Sequence, residues 1–475
     1  MSLSRTAAVE FSSRVGRALI AVALLAVFVR LLGADRFGSF ILFEAVLALA
    51  TIVVDLGIGS AVQKRMSEGS GGKILITAIG LQTALLVPVG GMLLVLSDVV
   101  DGYMGAPLTT YLVPAIAAHQ LMRLGLHALR GELRVAEAAV LQLAAELLVL
   151  LGGYLLVVNG GGVTKLIWAF IGSRAAVAAL ALFRLNTPAE APTRPTISSI
   201  LQFSKYNFVA SGLGGSMYKW IDTFLIGLFL TQELVTAYET AWRVSMSVAL
   251  ASQAIGSTMF PQVSDWHAEG RLAEIRRTVS DGLSGALVVV FPAIVGSFFF
   301  ASSVLSVAFG TRTSVAAGAL VILVVGKFPE AVNNVVSRTL FGLDKPRPVA
   351  FAAMVFIVLN LSLNVLLIPR FGLIGAAVGT TVAFFVNTGL NVLSLNEIVS
   401  VKPQWRTIGV CVVAAVLMGV VLSIVTIELA VESLTGLAAV IGVGSVVYII
   451  GLAADNRFRS RLLVMISLPV KWRND

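Results

Sequence analysis

Residues 28–40 read "FVRLLGADRFGSF". One long apolar run ends there and another begins. Arg30 closes the first, Asp35 and Arg36 open the second, and Gly33 stands between them. Three charges so close together stand out in a chain that is 57% hydrophobic and 12% charged. A soluble globular protein carries about 25% charged residues, enough for a polar shell, and too few are available here to build one. The bilayer core needs no such shell; it requires only that backbone polar groups be satisfied within the spanning element. The stretch therefore reads as the turn between two membrane-spanning helices, with its charges held at the water interface.

Working outward from that turn, a spanning helix needs about 20 mostly apolar residues. Fourteen such runs are present, at 11–33, 38–62, 73–97, 107–128, 134–158, 163–184, 206–229, 233–260, 281–303, 314–340, 347–368, 371–395, 406–427 and 434–454. The 44 glycines are spread through these runs, as transmembrane helices allow. The first run is long and leads straight into the second, so no cleavable leader is expected. Residues 455–475, "DNRFRSRLLVMISLPVKWRND", are too basic to span and read as an interfacial segment. Cys411 lies alone in an apolar run and excludes an internal disulfide. His119, His127 and His267 show no metal-ligand spacing.

The loops test the count independently. If fourteen spans alternate, one side holds twenty-five Lys and Arg residues, from Arg5 and Arg14 through Arg130, Arg134, Arg276 and Arg277 to Arg473. The other side holds five: Arg30, Arg36, Lys165, Arg312 and Arg370. Cytoplasmic loops carry the excess of Lys and Arg, so both termini are expected in the cytoplasm of a multi-pass cell-membrane protein. The net charge of +9 then reflects topology rather than nucleic-acid binding.

The polar segment 185–199, "LNTPAEAPTRPTISS", divides the chain into two lobes. The expected organisation is an N-lobe at 1–184 with helices one to six, a cytoplasmic linker at 185–199, a C-lobe at 200–400 with helices seven to twelve, and helices thirteen and fourteen with a basic tail at 401–475. "GIGSAV" at 57–62 and "AIGSTM" at 254–259 repeat Ile-Gly-Ser 197 residues apart, at corresponding places in the two halves. Transporters are often built from such repeats, with the substrate site at their interface.

Four stretches carry a resemblance. "RLLGADRFGSF" at 30–40 resembles the first hinge of the polysaccharide-transport branch of the MATE-like multidrug/oligosaccharidyl-lipid/polysaccharide exporter superfamily. "YKWIDTFLIGLFL" at 218–230 is similar to that family's seventh helix. "FPQVSDWHAEGRLAEIRRTVSDG" at 260–282 resembles its amphipathic link between helices eight and nine. "NLSLNVLLIPRFGLIGAAVGTTVAF" at 360–384 looks like its late helical hairpin. The resemblance implies an all-α polytopic membrane protein: two six-helix lobes in a V-shaped arrangement plus two C-terminal helices. It also implies a flippase, not an enzyme. Such a protein carries a polyprenyl-phosphate- or diphosphate-linked oligosaccharide from the cytoplasmic to the outer leaflet by alternating access, for surface polysaccharide or glycan assembly. A sister branch moves the lipid-linked peptidoglycan precursor; its first hairpin is usually more charged than the one here. The implied partners are the lipid-linked glycan, membrane lipids and glycan-assembly proteins, with no nucleic acid.

A charge inside the bilayer costs about 2.5–3.5 kcal/mol on insertion scales and marks a cavity or a partner. Arg174, Lys219, Arg243 and Lys327 lie well inside their helices, and Arg17 lies near the cytoplasmic end of the first. These five are the candidates for binding an anionic headgroup, since Arg grips phosphate bidentately and Lys acts as a point charge. Tyr218, Trp220, Tyr238 and Trp242 stand beside them and offer faces to sugars. Asp222 and Glu44 are the candidates for ion coupling. No cofactor is expected beyond a coupling Na⁺ or H⁺.

The blander reading stands beside each of these. Lys219 with Asp222, Glu239 with Arg243, and Lys327 with Glu330 are spaced three or four apart and share helix faces as ion pairs. Arg174 has no acid at those spacings. Two rival functions remain. A drug or organic-cation antiporter of the same fold would want carboxylates rather than cations in its cavity. A membrane glycosyltransferase or ligase would want a large outer loop or an Asp-x-Asp motif, and the sequence has neither. A pure scaffold would leave the mid-membrane charges without a role.

Overall fold

The computed structural model describes residues 3–69, 71–186, 190–191, 193–207, 217–401, 403–428 and 433–455. The described secondary structure is helical, without strands. The helices are α1 Leu3–Leu32, α2 Ala34–Asp55, α3 Ile58–Ser67, α4 Gly71–Val95, α5 Ser97–Met104, α6 Thr109–Gly131, α7 Val135–Val158, α8 Gly162–Phe183 and α9 Arg194–Asn207. They continue as α10 Met217–Phe229, α11 Gln232–Ala268, α12 Leu272–Leu287, α13 Val290–Phe309, α14 Ala317–Gly342, α15 Pro346–Ile398, α16 Trp405–Glu428 and α17 Leu434–Ala453. The interfacial segment expected at 455–475 falls, beyond Asp455, outside the described residues.

Ten helices among the described residues are long and apolar enough to cross a membrane. One of them, α15, runs for 53 residues, about 80 Å at 1.5 Å per residue, far more than the roughly 30 Å hydrocarbon core. It folds back on itself at Gly372 (φ 55°, ψ −134°), and Asn360 Nδ2 donates to Thr380 Oγ1 across the bend at 3.1 Å. The two spans expected at 347–368 and 371–395 are the arms of this hairpin. α6 and α11 stand outside the ten, and the seventh helix is described only from Met217. Fourteen spans remain our topological proposal.

Two spans and the linker differ locally from the sequence reading. The expected helix 38–62 is broken: Leu56 (φ 40°) and Gly57 (φ 84°) are both left-handed and separate α2 from α3. The expected helix 281–303 is two segments that meet at Val288 and Val289. The expected linker 185–199 is not wholly irregular, since α9 begins at Arg194. Apolar content located these spans, whereas the breaks depend on backbone conformation that periodicity does not report.

The chain forms two compact units, Met1–Glu239 and Thr240–Asp475. In the first, α1 packs on α7, α7 on α8, and α6 on α3, α4 and α8. The opening stretch sorts itself by face: Phe28, Phe37 and Phe40 are buried, while Arg30, Asp35 and Arg36 are exposed. Phe37 and Phe40 pack with tilted rings 5.7 Å apart, and Phe40 meets Phe170 of α8 edge-on at 6.4 Å. The start of α11 clamps the turn. Thr236 Oγ1 donates to Ala34 O at 2.6 Å, and Gly38 lies so close to Gln232 O that any Cβ there would collide with it.

In the second unit α14 packs along α15, α16 pairs with α17, and α13 touches α14, α16 and α17. The contact of α14 with α15 uses small residues, as membrane interfaces do; a Cβ on Gly326 would sit 2.7 Å from Thr381 Oγ1. The repeat found in sequence has a structural counterpart in each unit. A Cβ on Gly59 would lie 2.8 Å from His127 of α6, and one on Gly256 would lie 2.5 Å from Asn334 O of α14. Gly256→Ala is therefore expected to destabilise the protein by about 1–3 kcal/mol, as overpacking does. Gly172→Ala, at a position with open space around it, is expected to be neutral. Thermal unfolding in detergent distinguishes them.

Candidate functional site

In the first unit the mid-membrane cation is Arg174 on α8. It is 5% exposed. Its Nη2 donates to Glu146 Oε1 and Oε2 on α7 at 3.0 and 3.2 Å, and its Cζ lies 4.6 Å from the centre of the Phe170 ring. An acid on a neighbouring helix thus supplies the partner that α8 lacks. Glu146 does not use the whole guanidinium: Nε and Nη1 are buried with no hydrogen-bond partner among the described residues. An orphaned buried donor costs about 1–3 kcal/mol, more when charged. Arg17 on α1 is half-buried, and its Nε is likewise buried and unpartnered.

The same unit holds a basic stripe that the sequence reading missed. His119, Arg123 and His127 recur every four residues on α6, and Arg130 follows three later. His119 stacks on Phe170 with ring planes 10° apart. Arg123 faces Asp55 at 3.8 Å, and Arg130 Nη2 donates to Gln142 at 3.1 Å. Arg123 and Arg130 were counted as loop charges and the histidines as scattered. The four-residue period was the available signal, and it places them on one helix face.

In the second unit Lys327 on α14 is 1% exposed. Its Nζ donates to Glu330 Oε2 at 2.7 Å and lies 4.6 Å from the Trp242 ring centre and 5.7 Å from that of Phe384. The expected three-residue ion pair is formed, and two aromatic faces add cation–π attraction of about 0.5–2 kcal/mol. Trp242 and Tyr238 are buried in the core, so Trp242 spends a face on the protein's own ammonium rather than on a sugar. Arg243 is half-buried on α11. Asp222 on α10 is buried, Glu44 on α2 is half-buried, and both have partners. The side chains of Lys219 and Tyr218 lie outside the described residues.

The second unit also has a partly open apolar cavity of about 1270 Å³ between α11, α12, α13, α14, α16 and α17. That exceeds the roughly 300–1,000 Å³ of ordinary small-molecule pockets. Gly296, Phe300 and Met418 line it, and its charged lining residues are Arg277 and Asp281. Gln404 Nε2 donates to Asp281 Oδ1 at 2.6 Å.

Many apolar helices, buried cations in each half and a large apolar cavity define a polytopic membrane protein of transporter architecture. The family model described as polysaccharide biosynthesis protein matches residues 27–317. The chain is 37% identical over 454 residues to the probable low-salt glycan biosynthesis flippase Agl15 of Haloferax volcanii, covering 94% of this chain and 95% of that one. It is 32% identical over 426 residues to the probable flippase AglR of the same organism, covering 88% and 89%. The chain belongs to the polysaccharide biosynthesis protein family. A model of the lipid II flippase MurJ also matches residues 209–444.

Among solved structures, the inward closed conformation of lipid II flippase MurJ superposes with a TM-score of 0.81 at 14% identity, over 95% of this chain and 99% of that one. The inward-facing conformation of a multidrug resistance MATE transporter gives 0.64 at 14% identity, over 80% and 94%. At such identities these likenesses establish the fold alone, and the MATE-like fold expected from the sequence is the one observed.

Proposed function

We propose that the protein is a flippase that carries a lipid-linked glycan across the membrane by alternating access, for glycan or surface polysaccharide assembly. The observation that supports this reading is Arg174: a guanidinium 5% exposed on an apolar helix long enough to cross a membrane, held by Glu146 through Nη2. A drug-cation antiporter would want a carboxylate there, whereas a guanidinium suits a phosphate or diphosphate headgroup. Arg17, Arg174, Lys219, Arg243 and Lys327 bind the headgroup in this reading, and Asp222 or Glu44 exchanges a coupling Na⁺ or H⁺. The apolar cavity of the second unit takes the polyprenyl chain, each buried methylene contributing about 0.8 kcal/mol. Both termini lie in the cytoplasm of a cell membrane, as the loop charges require. The protein acts as a transporter and performs no covalent chemistry.

Reconstitution in vesicles with a fluorescent polyprenyl-diphosphate oligosaccharide tests the reading. Headgroup fluorescence is expected to become accessible to an impermeant quencher only where the protein is present; equal accessibility in empty vesicles overturns it. A Cβ on Gly296 meets nothing within 4 Å, so Gly296→Trp can start an indole into the cavity from an open position. That variant is expected to insert normally and to transport the long-chain probe at least about tenfold more slowly, the effect of roughly 1.4 kcal/mol. A short-chain analogue is expected to be spared.

A further inference from the structure

We infer that Tyr448 is a positioning residue for the lipid chain: its hydroxyl fixes the proline joint between α12 and α13, and with it one wall of the apolar cavity. The inference rests on the reading of that cavity as the chain's site. The joint follows from the sequence. Pro292 has no amide hydrogen, so the Val288 carbonyl four residues earlier has no helical donor, and the proline ring crowds that carbonyl outward. α12 ends at Leu287 and α13 begins at Val290. The backbone hydrogen bonds around the break are long: Val288 N donates to Gly285 O at 3.4 Å, and Ala293 N to Val289 O at 3.3 Å. From 160 residues further along the chain, Tyr448 of α17 donates its hydroxyl to the Val288 carbonyl at 2.7 Å.

The donor sits on a firm base. Tyr448 is 5% exposed and shares one buried cluster with Phe300 of α13 and with Cys411 and Met418 of α16. α16 and α17 approach closely through glycine. A Cβ on Gly451 would lie 2.8 Å from that of Ala414, and one on Gly444 would touch Leu422 and Met418 at 3.4 and 3.6 Å. Packing this close leaves little play. The acceptor, by contrast, belongs to the point where a helix bends. Pro88, Pro114, Pro261, Pro329 and Pro369 also lie inside helices. Among the described residues, no side chain of another helix donates to the carbonyl four before any of them. The chain therefore folds around other proline-freed carbonyls without a cross-helix donor, and stability alone does not call for Tyr448.

What is particular here is the place. Val288, Val289, Pro292 and Tyr448 all line the cavity of about 1270 Å³. The bond thus ties a wall that can bend to one that is firmly packed. In apolar surroundings a carbonyl without a donor is costly. Without the hydroxyl, the joint turns Val288 O toward another donor, and Val289 and Pro292 move with it. An apolar chain is held by many weak contacts along its length, each lost when a wall shifts by a fraction of an ångström. A displaced joint therefore weakens the hold on a long chain far more than on a short one. Tyr448 acts on the chain through the Val288 carbonyl.

A double-mutant cycle tests this, because Pro292→Ala returns an amide hydrogen to Val288 O and makes the hydroxyl dispensable. Tyr448→Phe keeps the ring. It is expected to slow vesicle transport of the long-chain probe about two- to tenfold, the loss of one hydrogen bond, and to slow the short-chain analogue far less. In the Pro292→Ala background the same substitution is expected to change neither. Thermal unfolding of the four proteins in detergent runs the cycle again should Pro292→Ala halt transport: Tyr448→Phe is expected to lower the midpoint only beside Pro292. An equal cost in both backgrounds overturns the inference, as does equal slowing of long and short chains. If the chain lies elsewhere, Gly296→Trp shows no selectivity for chain length, and the inference falls with that reading. A chain-selective effect of Gly296→Trp with none from Tyr448→Phe overturns the inference alone.

Discussion

Replacing Lys327 by Met alone is expected to destabilise the protein by about 3–5 kcal/mol, because it leaves the Glu330 carboxylate buried without its counter-charge. Glu330→Gln is expected to do the same through the stranded ammonium, which is 1% exposed. The double variant Lys327→Met/Glu330→Met fills the site with apolar groups of similar volume and is expected to recover stability to near the parent or above it, as such replacements often do. Thermal unfolding in detergent measures all three. Transport by the stable double variant then separates the two roles that sequence spacing left open. If the ammonium binds the headgroup, the double variant folds and does not transport. If the pair only holds α14 in place, the double variant transports at the parental rate, and Lys327 leaves the substrate site.

Arg174→Gln is expected to lower transport of the diphosphate-linked probe by about 10–150-fold. That is the loss of one charge-assisted contact worth about 1.5–3 kcal/mol, at 1.4 kcal/mol per decade. Its effect on folding should be smaller than that of Lys327→Met, because the Glu146 side chain is 31% exposed, against 8% for Glu330. Arg174→Lys is expected to restore part of the activity: it keeps the charge but loses the fork that reaches two acceptors. The checks are initial rates in vesicles at matched protein content. A fully active Arg174→Gln protein removes this residue from the headgroup site and leaves it as the partner of Glu146.

The candidate site was legible in part, and the limits have physical causes. Lys327 and Glu330 could be paired on paper because both lie on one helix, where a spacing of three fixes which side chains meet. Arg174 could not, because its acid lies on α7, and which helix neighbours which is not written in any one segment. The basic stripe on α6 was present as a four-residue period, but its arginines were assigned to loops by charge alone. The opening stretch was legible as a turn: it separates α1 from α2 and leaves Arg30, Asp35 and Arg36 exposed, as the cost of burying charge favours.

By itself the sequence determined the solvent, the class of element and the approximate place of the ten helices long and apolar enough to span. It could do so because a bilayer core demands long apolar helices and a bias in loop charge, and both are local properties of composition. Only the tertiary structure decided where a span breaks, as at Leu56 and Gly57, and which buried charges are neutralised. It likewise decided that Gly59 and Gly256 do the same work in two units. Those outcomes depend on distances of a few ångströms between segments far apart in the chain, where low dielectric and close packing make each contact count.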